Sequence, residues 1–351
     1  MKRLCKNALS SHTGVTIKDV AAGARVSTAT VSRVLSGVNP VSDEVRSRVM
    51  KVIKHLNYQP NRLAQGLRAG QRRIIGVIIP DLQNPFFTSL IHGVEDALYK
   101  AGYTLLLGHS DGLVERELTH ISVLRGEGAA GLIFAPTNEE GADYSSLAQW
   151  NIPVVAVDRL PRGLKVDLAG TDSRKGVRDA VHHLIEHGYR TIGFINGPQG
   201  LDVAENRFAG YRDGLREAGI DLNSSLIIRS DFRQAGGFEA MMRLLDLPKP
   251  PRAMLIANNL MTLGALQAIH ERGVRIPNDI AVISFDDMSW ASSLRPPLTA
   301  IAQPAEELGH ATAQLLLDRI QNPERAPRRI LLPVRMVLRD SCGRHPVPVG
   351  K

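Results

Sequence analysis

Two groups of residues in this sequence have types and spacings that could do chemistry on a substrate. Asp286 and Asp287 stand side by side at the end of VISFDD, as a carboxylate pair for acid–base work would. His182, His183 and His187 share one helical stretch, where positions four apart can chelate zinc. The geometry disfavours both. Adjacent residues at a strand end point to opposite faces, and the histidines lack a further ligand of matching spacing. There is no Walker-type loop, nucleophile elbow or HExxH, and Cys5 and Cys342 lie near opposite ends of the chain. The sequence therefore predicts no catalytic residue, metal or cofactor. A third group points to binding instead: Arg33, in TIKDVAAGARVSTATVSRVLSG, carries a guanidinium fork that can pair with guanine O6 and N7.

The charge distribution supports that direction. Residues 1–73 hold 14 Lys and Arg against three Asp and Glu, a net of +11, while the remainder carries 29 against 32, a net of −3. A basic module on a near-neutral body is the electrostatic footprint of a polyanion-binding head, although a solvated basic face would look the same by charge alone. The chain has 351 residues, 43% of them hydrophobic and 22% charged, which is globular composition with room for two or more cores. No apolar run approaches the length of a membrane helix, and the start of the chain lacks the apolar centre of a secretory signal, so a cytoplasmic protein is expected.

The elements that would position these residues fall into two regimes. Before Ile74 there is no strand pattern: Ile17, Val20, Ala21 and Ala24, then Val31, Val34 and Leu35, then Val45, Val49, Val52, Ile53 and Leu56 form three short helical stripes, with Thr16, Ser27 and Ser42 where N-caps are wanted. From Ile74 onward RRIIGVIIP, YTLLLG, AGLIFAP and IPVVAVD alternate with helical patterns, and the rhythm restarts after Asp172 through RTIGFING, SLIIRSD, RAMLIAN and DIAVISFDD. Two α/β units in succession predict two lobes with a ligand where strand C-termini face a shared cleft. In the first helix of the body Phe87 falls on the core stripe and Phe86 off it, Asn84 is placed to cap, and the last helix, near residues 304–321, could pack on either lobe.

The first two helical stripes, about three residues apart, resemble a helix-turn-helix, with Thr28, Ala29 and Arg33 exposed on the second helix. With Val41-Ser42, Tyr58-Gln59-Pro60-Asn61, residues 64–67, PDLQNPFF, Asp158-Arg159, ENRFAGY, LIANN, VISFDD, AIAQP and Arg339-Asp340-Ser341 in order, the chain is similar over about nine-tenths of its length to the lac/gal repressor family of bacterial transcription regulators. Two positions depart from the family pattern. Arg25 stands where Gly or Asn is frequent in the turn, and Asn258-Asn259 stands where Asn-Asp is common. Gly23 within the first helix predicts a softer head than usual, at about 1 kcal/mol relative to Ala.

The resemblance implies a helix-turn-helix headpiece at 1–59, a hinge helix and linker at 60–73, a two-lobed α/β, periplasmic-binding-protein-like (type I) effector and dimerisation body at 74–340, and a tail at 341–351. It implies DNA contacts from Thr16, Ser27, Thr28, Ala29, Thr30 and Arg33 in the head, and from Asn61, Ala64 and Leu67 in the hinge, with Leu67 as the wedge that kinks the duplex. Residues 61–68 are too few for a stable isolated helix, so such a hinge would fold only when two copies meet on DNA. The effector would be held by Asp81, Asn84, Phe86, Asp158, Arg159, Arg207, Phe232, Asn258, Asp286 and Gln303, a set suited to a sugar, sugar acid or sugar phosphate. The implied partners are double-stranded DNA with a near-palindromic operator, that small molecule, and a second copy of the chain. Repression is the first expectation, activation by the same architecture the second, and a two-lobed enzyme fused to a DNA-binding head a distant third.

Overall fold

The computed structural model describes residues 15–36, 41–58, 73–137, 143–161 and 163–343. The chain divides into two compact units, Met1–Arg72 and Arg73–Lys351. The hinge positions Asn61, Ala64 and Leu67 lie outside the described residues.

Among its described residues the first unit packs three helices, α1 (Ile17–Ala24), α2 (Thr28–Ser36) and α3 (Asp43–His55). The three apolar stripes meet as anticipated: Val20, Ala21, Ala24, Val31, Val34 and Val49 are buried together, flanked by Val26, Val45, Val52 and Leu56. At the start of α1 the Thr16 amide and hydroxyl both donate to Asp19 Oδ2, at 2.8 and 2.7 Å, placing a carboxylate at the positive end of the helix. At the other end Arg25 takes the left-handed conformation (φ 53°) that Gly or Asn would adopt more cheaply, and the N–H of Val26 closes on Ala21 O. Arg48 of α3 then donates from Nε to Ala24 O at 2.9 Å, satisfying a helix-end carbonyl. Gly23 has a packing reason that composition did not reveal. A Cβ there would fall 2.8 Å from Val52 Cγ1, so the residue lets α1 and α3 approach.

The second unit contains two six-stranded sheets. Sheet one has the order β11-β5-β4-β3-β1-β2 and is parallel throughout, from β1 (Ile74–Ile79), β2 (Thr104–His109), β3 (Gly131–Phe134), β4 (Val154–Val157), β5 (Asp167–Thr171) and β11 (Arg329–Leu332). Sheet two, β12-β10-β9-β8-β6-β7, uses β6 (Ile192–Asn196), β7 (Ile227–Arg229), β8 (Ala253–Ile256), β9 (Ala281–Phe285), β10 (Thr299–Ala302) and an antiparallel edge, β12 (Arg335–Val337). The central strands are apolar on both sides because helices cover both faces. Along β1, Ile75, Val77 and Ile79 face one core with Leu90, Val94 and Leu308, while Ile78 faces the other with Leu132, Ile121 and Tyr144.

Helix α4 (Pro85–Lys100) follows β1, and the final helix, α11 (Ala305–Gln321), packs against it on the first lobe. The pairing is set by Gly93 and Gly309: a Cβ on either would clash with a backbone carbonyl of the opposite helix, Glu306 O and Leu90 O respectively. The chain thus crosses between lobes three times, after β5, after β10 and after β11. Strands β5, β10, β11 and β12 are not anticipated by the rhythm. The body also runs beyond residue 340: Ser341 and Cys342 are buried, Ser341 Oγ donates to Val282 O at 2.6 Å, and the Thr299 N–H donates to Ser341 Oγ at 2.8 Å. A boundary at 341 is therefore corrected to 343 or later.

Candidate functional site

A cavity of about 460 Å³ lies between the two lobes, where strand ends from both sheets converge. Every effector residue implied by the resemblance lines it: Asp81, Asn84, Phe86, Asp158 and Arg159 from the first lobe, Arg207, Phe232, Asn258 and Asp286 from the second, and Gln303 at a crossover.

The lobes supply matching parts. Asp158 follows β4 and Asp286 follows β9, and each donates its N–H to the neighbouring strand, Ala169 O at 2.8 Å and Ile301 O at 2.9 Å. Asn84 and Asn258 cap the helices that follow β1 and β8. Asn84 Oδ1 accepts from Phe86 N and Asn258 Oδ1 from Met261 N, both at 2.9 Å. Their cap role and their place in the wall are the same geometry, because both helix N-termini point at the cavity.

Four lining residues that are not glycine have a left-handed backbone: Asp111 (φ 55°), Asp158 (φ 65°), Phe232 (φ 64°) and Asp286 (φ 71°). Asp tolerates this region, whereas an aromatic residue there is strained and needs surrounding structure to hold it. Phe232 is held on two sides. Its carbonyl accepts from Asn258 Nδ2 at 2.8 Å, and its ring occupies the space that a side chain at Gly197 would take.

Arg207, on α8 (Asp202–Glu217; α5 is Val114–Gly126, α6 Ser145–Trp150 and α7 Ser173–Glu186), is the electrostatic centre. Its guanidinium stacks 3.9 Å above the Phe285 ring and donates from Nη1 to Ala257 O at 2.6 Å. Burial pulls Arg207 down from its ordinary value, opposed by Asp286 and Asp158. Both carboxylates are raised in turn, again chiefly by burial: Arg159 and Arg207 offset the rise at Asp158, Arg207 and Gln303 at Asp286. Arg159 donates to Pro136 O at 3.0 Å and lies 3.5 Å from Asp158.

One distinction drawn from the helical wheel is corrected. Phe86 and Phe87 both border the cavity and both belong to the first-lobe core, with their rings edge to face at 5.1 Å. The first turn of α4 is enclosed by sheet on one side and by the cleft on the other, so being off the stripe does not mean exposure. Sequence reasoning also missed Thr137, Gln199 and Asp231, and the pair Asp111 and Arg233, which lie in loops without periodicity. Behind the wall, Glu117 is fully buried and accepts from Thr137 N at 2.8 Å and Tyr144 OH at 2.5 Å; burial raises its carboxyl despite those bonds.

The groups weighed for catalysis do not come together as pairs or chelates. Asp286 faces the cavity while Asp287 takes a two-point pairing with Arg339, at 2.7 and 2.9 Å. His182 pairs with Glu217 at 3.0 Å, His183 Nε2 lies 3.3 Å from Cys342 Sγ, and His187 Nδ1 lies 2.9 Å from His183 O. In the head, Thr16, Ser27, Thr28, Ala29 and Arg33 are exposed, while Thr30 is half-buried. Ser27 caps α2 by accepting from Thr30 N at 3.1 Å.

Residues 16–61 match the family described as bacterial regulatory proteins, lacI family, and residues 181–342 match the periplasmic binding protein-like domain. The ribose operon repressor of Haemophilus influenzae is 36% identical over 93% of this chain and 98% of its own length. The chain belongs to the lacI family of bacterial regulatory proteins. Another relative of this lacI-family chain, the HTH-type transcriptional repressor CytR of Escherichia coli K12, is 34% identical over 95% of the chain and 98% of its own length. Among solved structures, a lac repressor dimer bound to operator and an anti-inducer superposes with a TM-score of 0.83 at 30% identity, covering 95% of this chain and all of that one. A complex of the regulator CelR with cellobiose gives 0.72 at 32% identity, covering 93% and 99%. This lacI-family chain is therefore a helix-turn-helix transcription regulator with a two-lobed effector-binding type of body.

Proposed function

We propose that the protein is a cytoplasmic, homodimeric repressor, without enzymatic activity, whose operator affinity is set by an uncharged polyhydroxylated molecule of the sugar class bound between its lobes. The observation that carries the reading is the convergence of Asp158, Asp286 and Arg207 beside Phe232 in a single cavity. Carboxylates accept from hydroxyls, the guanidinium donates to them, and the aromatic face covers the apolar side of a sugar ring. An uncharged effector is favoured over a sugar acid or phosphate because the wall holds Asp81, Asp111, Asp158, Asp231 and Asp286 against Arg159, Arg207 and Arg233. Each of those arginines already serves a carbonyl or carboxylate of the protein.

On DNA, α2 is the element that would enter the major groove, with Arg33 reading a base edge and the Thr28 hydroxyl and Ala29 methyl beside it. Residues 61–68 would fold as the hinge between two protomers, and Leu67 would wedge into the minor groove. No helix among the described residues is long and apolar enough to cross a membrane.

The test is calorimetric titration of the full-length protein with ribose and cellobiose, each beside an anionic counterpart, followed by operator binding with each ligand found. The expected result is saturable binding of a neutral compound at least 100-fold tighter than its anionic counterpart, together with a change in operator affinity. Tighter binding of the anion would refute the charge argument. Binding that leaves operator affinity unchanged would refute the regulatory one.

A further inference from the structure

Side chains of the two lobes meet directly on the rim of the cavity and again deeper beside it. On the rim, Arg233 of the second lobe donates from Nη2 to Asp111 of the first, to Oδ1 at 2.9 Å and to the carbonyl oxygen at 3.0 Å. Both partners are pre-set for this contact. Asp231 Oδ1 accepts from the Arg233 N–H at 2.9 Å and fixes that loop, while Asp111 has a left-handed backbone (φ 55°) and a second pairing, to Arg116 at 3.3 Å. Deeper in, Asn259 Nδ2 of the second lobe donates to Asn84 Oδ1 of the first at 2.9 Å, with both residues buried.

The deeper contact depends on the residue type at 259. Asn84 Oδ1 is committed as an acceptor because it also caps α4 through the Phe86 N–H. The group facing it must therefore be a donor. Toward that oxygen an amide presents a donor and a carboxylate in the same orientation does not, since it would set two acceptors against each other in a buried site; the amide leaves Asn259 Oδ1 without a hydrogen-bond partner among the described residues. Asn259, where the family pattern commonly has Asp, turns that point into an attraction across the cleft. The rim pair is half-exposed and hence weak, as a contact that must make and break should be.

We infer that Asn259 and the Asp111–Arg233 pair are positioning residues that draw the two lobes together over the cavity by contacts between the lobes alone. A ligand then enters through an opening step that breaks both contacts, and the closed arrangement is favoured before any ligand contributes. This rests on the cavity being the effector site, but it is measured without effector, so an empty ligand screen does not touch it.

The experiment is a spin-label distance measurement on full-length Cys5→Ser protein carrying Val123→Cys in the first lobe and Leu222→Cys in the second, both exposed positions. Diluted into an excess of unlabelled protein, so that each labelled protomer is paired with an unlabelled one, the parent is expected to give one narrow distance. Asn259→Asp and Asp111→Arg should each add a longer population, raising the open-to-closed ratio several-fold. The doubly reversed Asp111→Arg/Arg233→Asp protein should regain the narrow distribution, which general loosening of the fold would not restore. Asp111→Asn, a milder change on the surface, serves where a stronger variant melts early. A parent distribution already as broad as that of the variants, or a reversed pair that stays broad, would overturn the inference.

Discussion

Gln303 donates from Nε2 to Asp286 Oδ1 at 2.7 Å, and its Oε1 accepts from the Thr171 hydroxyl at 2.5 Å. One amide thus orients a cavity carboxylate and joins two of the three segments that pass between the lobes. Replacing it with Ala removes a charge-assisted bond, so Gln303→Ala should weaken effector binding by about 1.5 kcal/mol, roughly tenfold, with specific DNA binding retained. Calorimetry against the neutral ligand identified by titration, beside an operator titration without it, checks both halves.

Removing Arg207 leaves Asp158 and Asp286 buried without their shared cation. Arg207→Ala should abolish the operator response to effector while the ligand-free protein still binds DNA; an unchanged dose response would remove Arg207 from the site. The carboxylates are already raised by burial in the parent, so their contribution to stability is fullest below the ordinary carboxylate value, about 4, and is lost as pH rises through their raised native values. Loss of Arg207 raises them further. The variant should therefore lose more stability than the parent as pH rises from the ordinary carboxylate value into the neutral range, as followed by thermal melting.

Arg33→Ala should cost about 1–3 kcal/mol on the operator and much less on random duplex, because a base-edge fork carries sequence information that a phosphate contact does not. Titration of both duplexes at one salt concentration decides it. Equal losses would assign Arg33 to the backbone.

Asp167 anchors the far end of the first lobe. Its carboxylate is fully buried and pairs with Arg319 (3.0 Å) and Arg325 (2.7 Å), and it accepts from the Arg328 N–H at 2.7 Å. Burial alone would raise it, but the two guanidinium groups and the backbone bond hold it below the usual carboxylate range. The stability it contributes is present above its unfolded value, about pH 4, and is lost as pH falls through the lowered native value. Asp167→Asn should cost about 3 kcal/mol at neutral pH by leaving two buried cations uncompensated, and the gap to the parent should close under acid. Denaturant titrations at pH 7 and pH 3 test both claims.

Much of the molecule is legible in the sequence. The apolar runs that became β1, β3, β4, β6, β8 and β9 are strands covered on both faces, and such strands leave a strong hydrophobic signal; the edge runs β2 and β7 are equally apolar in sequence although half-buried or exposed. Strand β5 (DLAGT) carries Asp167 and Gly170 and looks like a turn until Arg319 and Arg325 supply the pairing. Strand β10 (TAIA) is only four residues long and has no α-helix between it and β9, and β11 and β12 escape because rhythm reads neighbours along the chain while these two take their places in sheets built from distant segments. The assignment of α11 depended on Gly93 meeting Gly309, a match between backbones that no helical wheel displays. The cavity residues on strand ends and helix caps were readable from ordered motifs. Asp111 and Arg233 were not, because their contact joins two loops 122 residues apart.

The three passages between lobes have a consequence for how this chain is made. The first lobe takes α11 and β11 from residues 305–332, so its sheet lacks an edge and its main core lacks a wall until residue 332 has left the ribosome. The second lobe needs only β12 and the segment through Gly343 in addition to its own continuous stretch. Although it is translated later, it can reach its final packing at almost the same moment, and during that interval the nascent first lobe exposes Leu90, Val94 and the rest of the surface meant for α11.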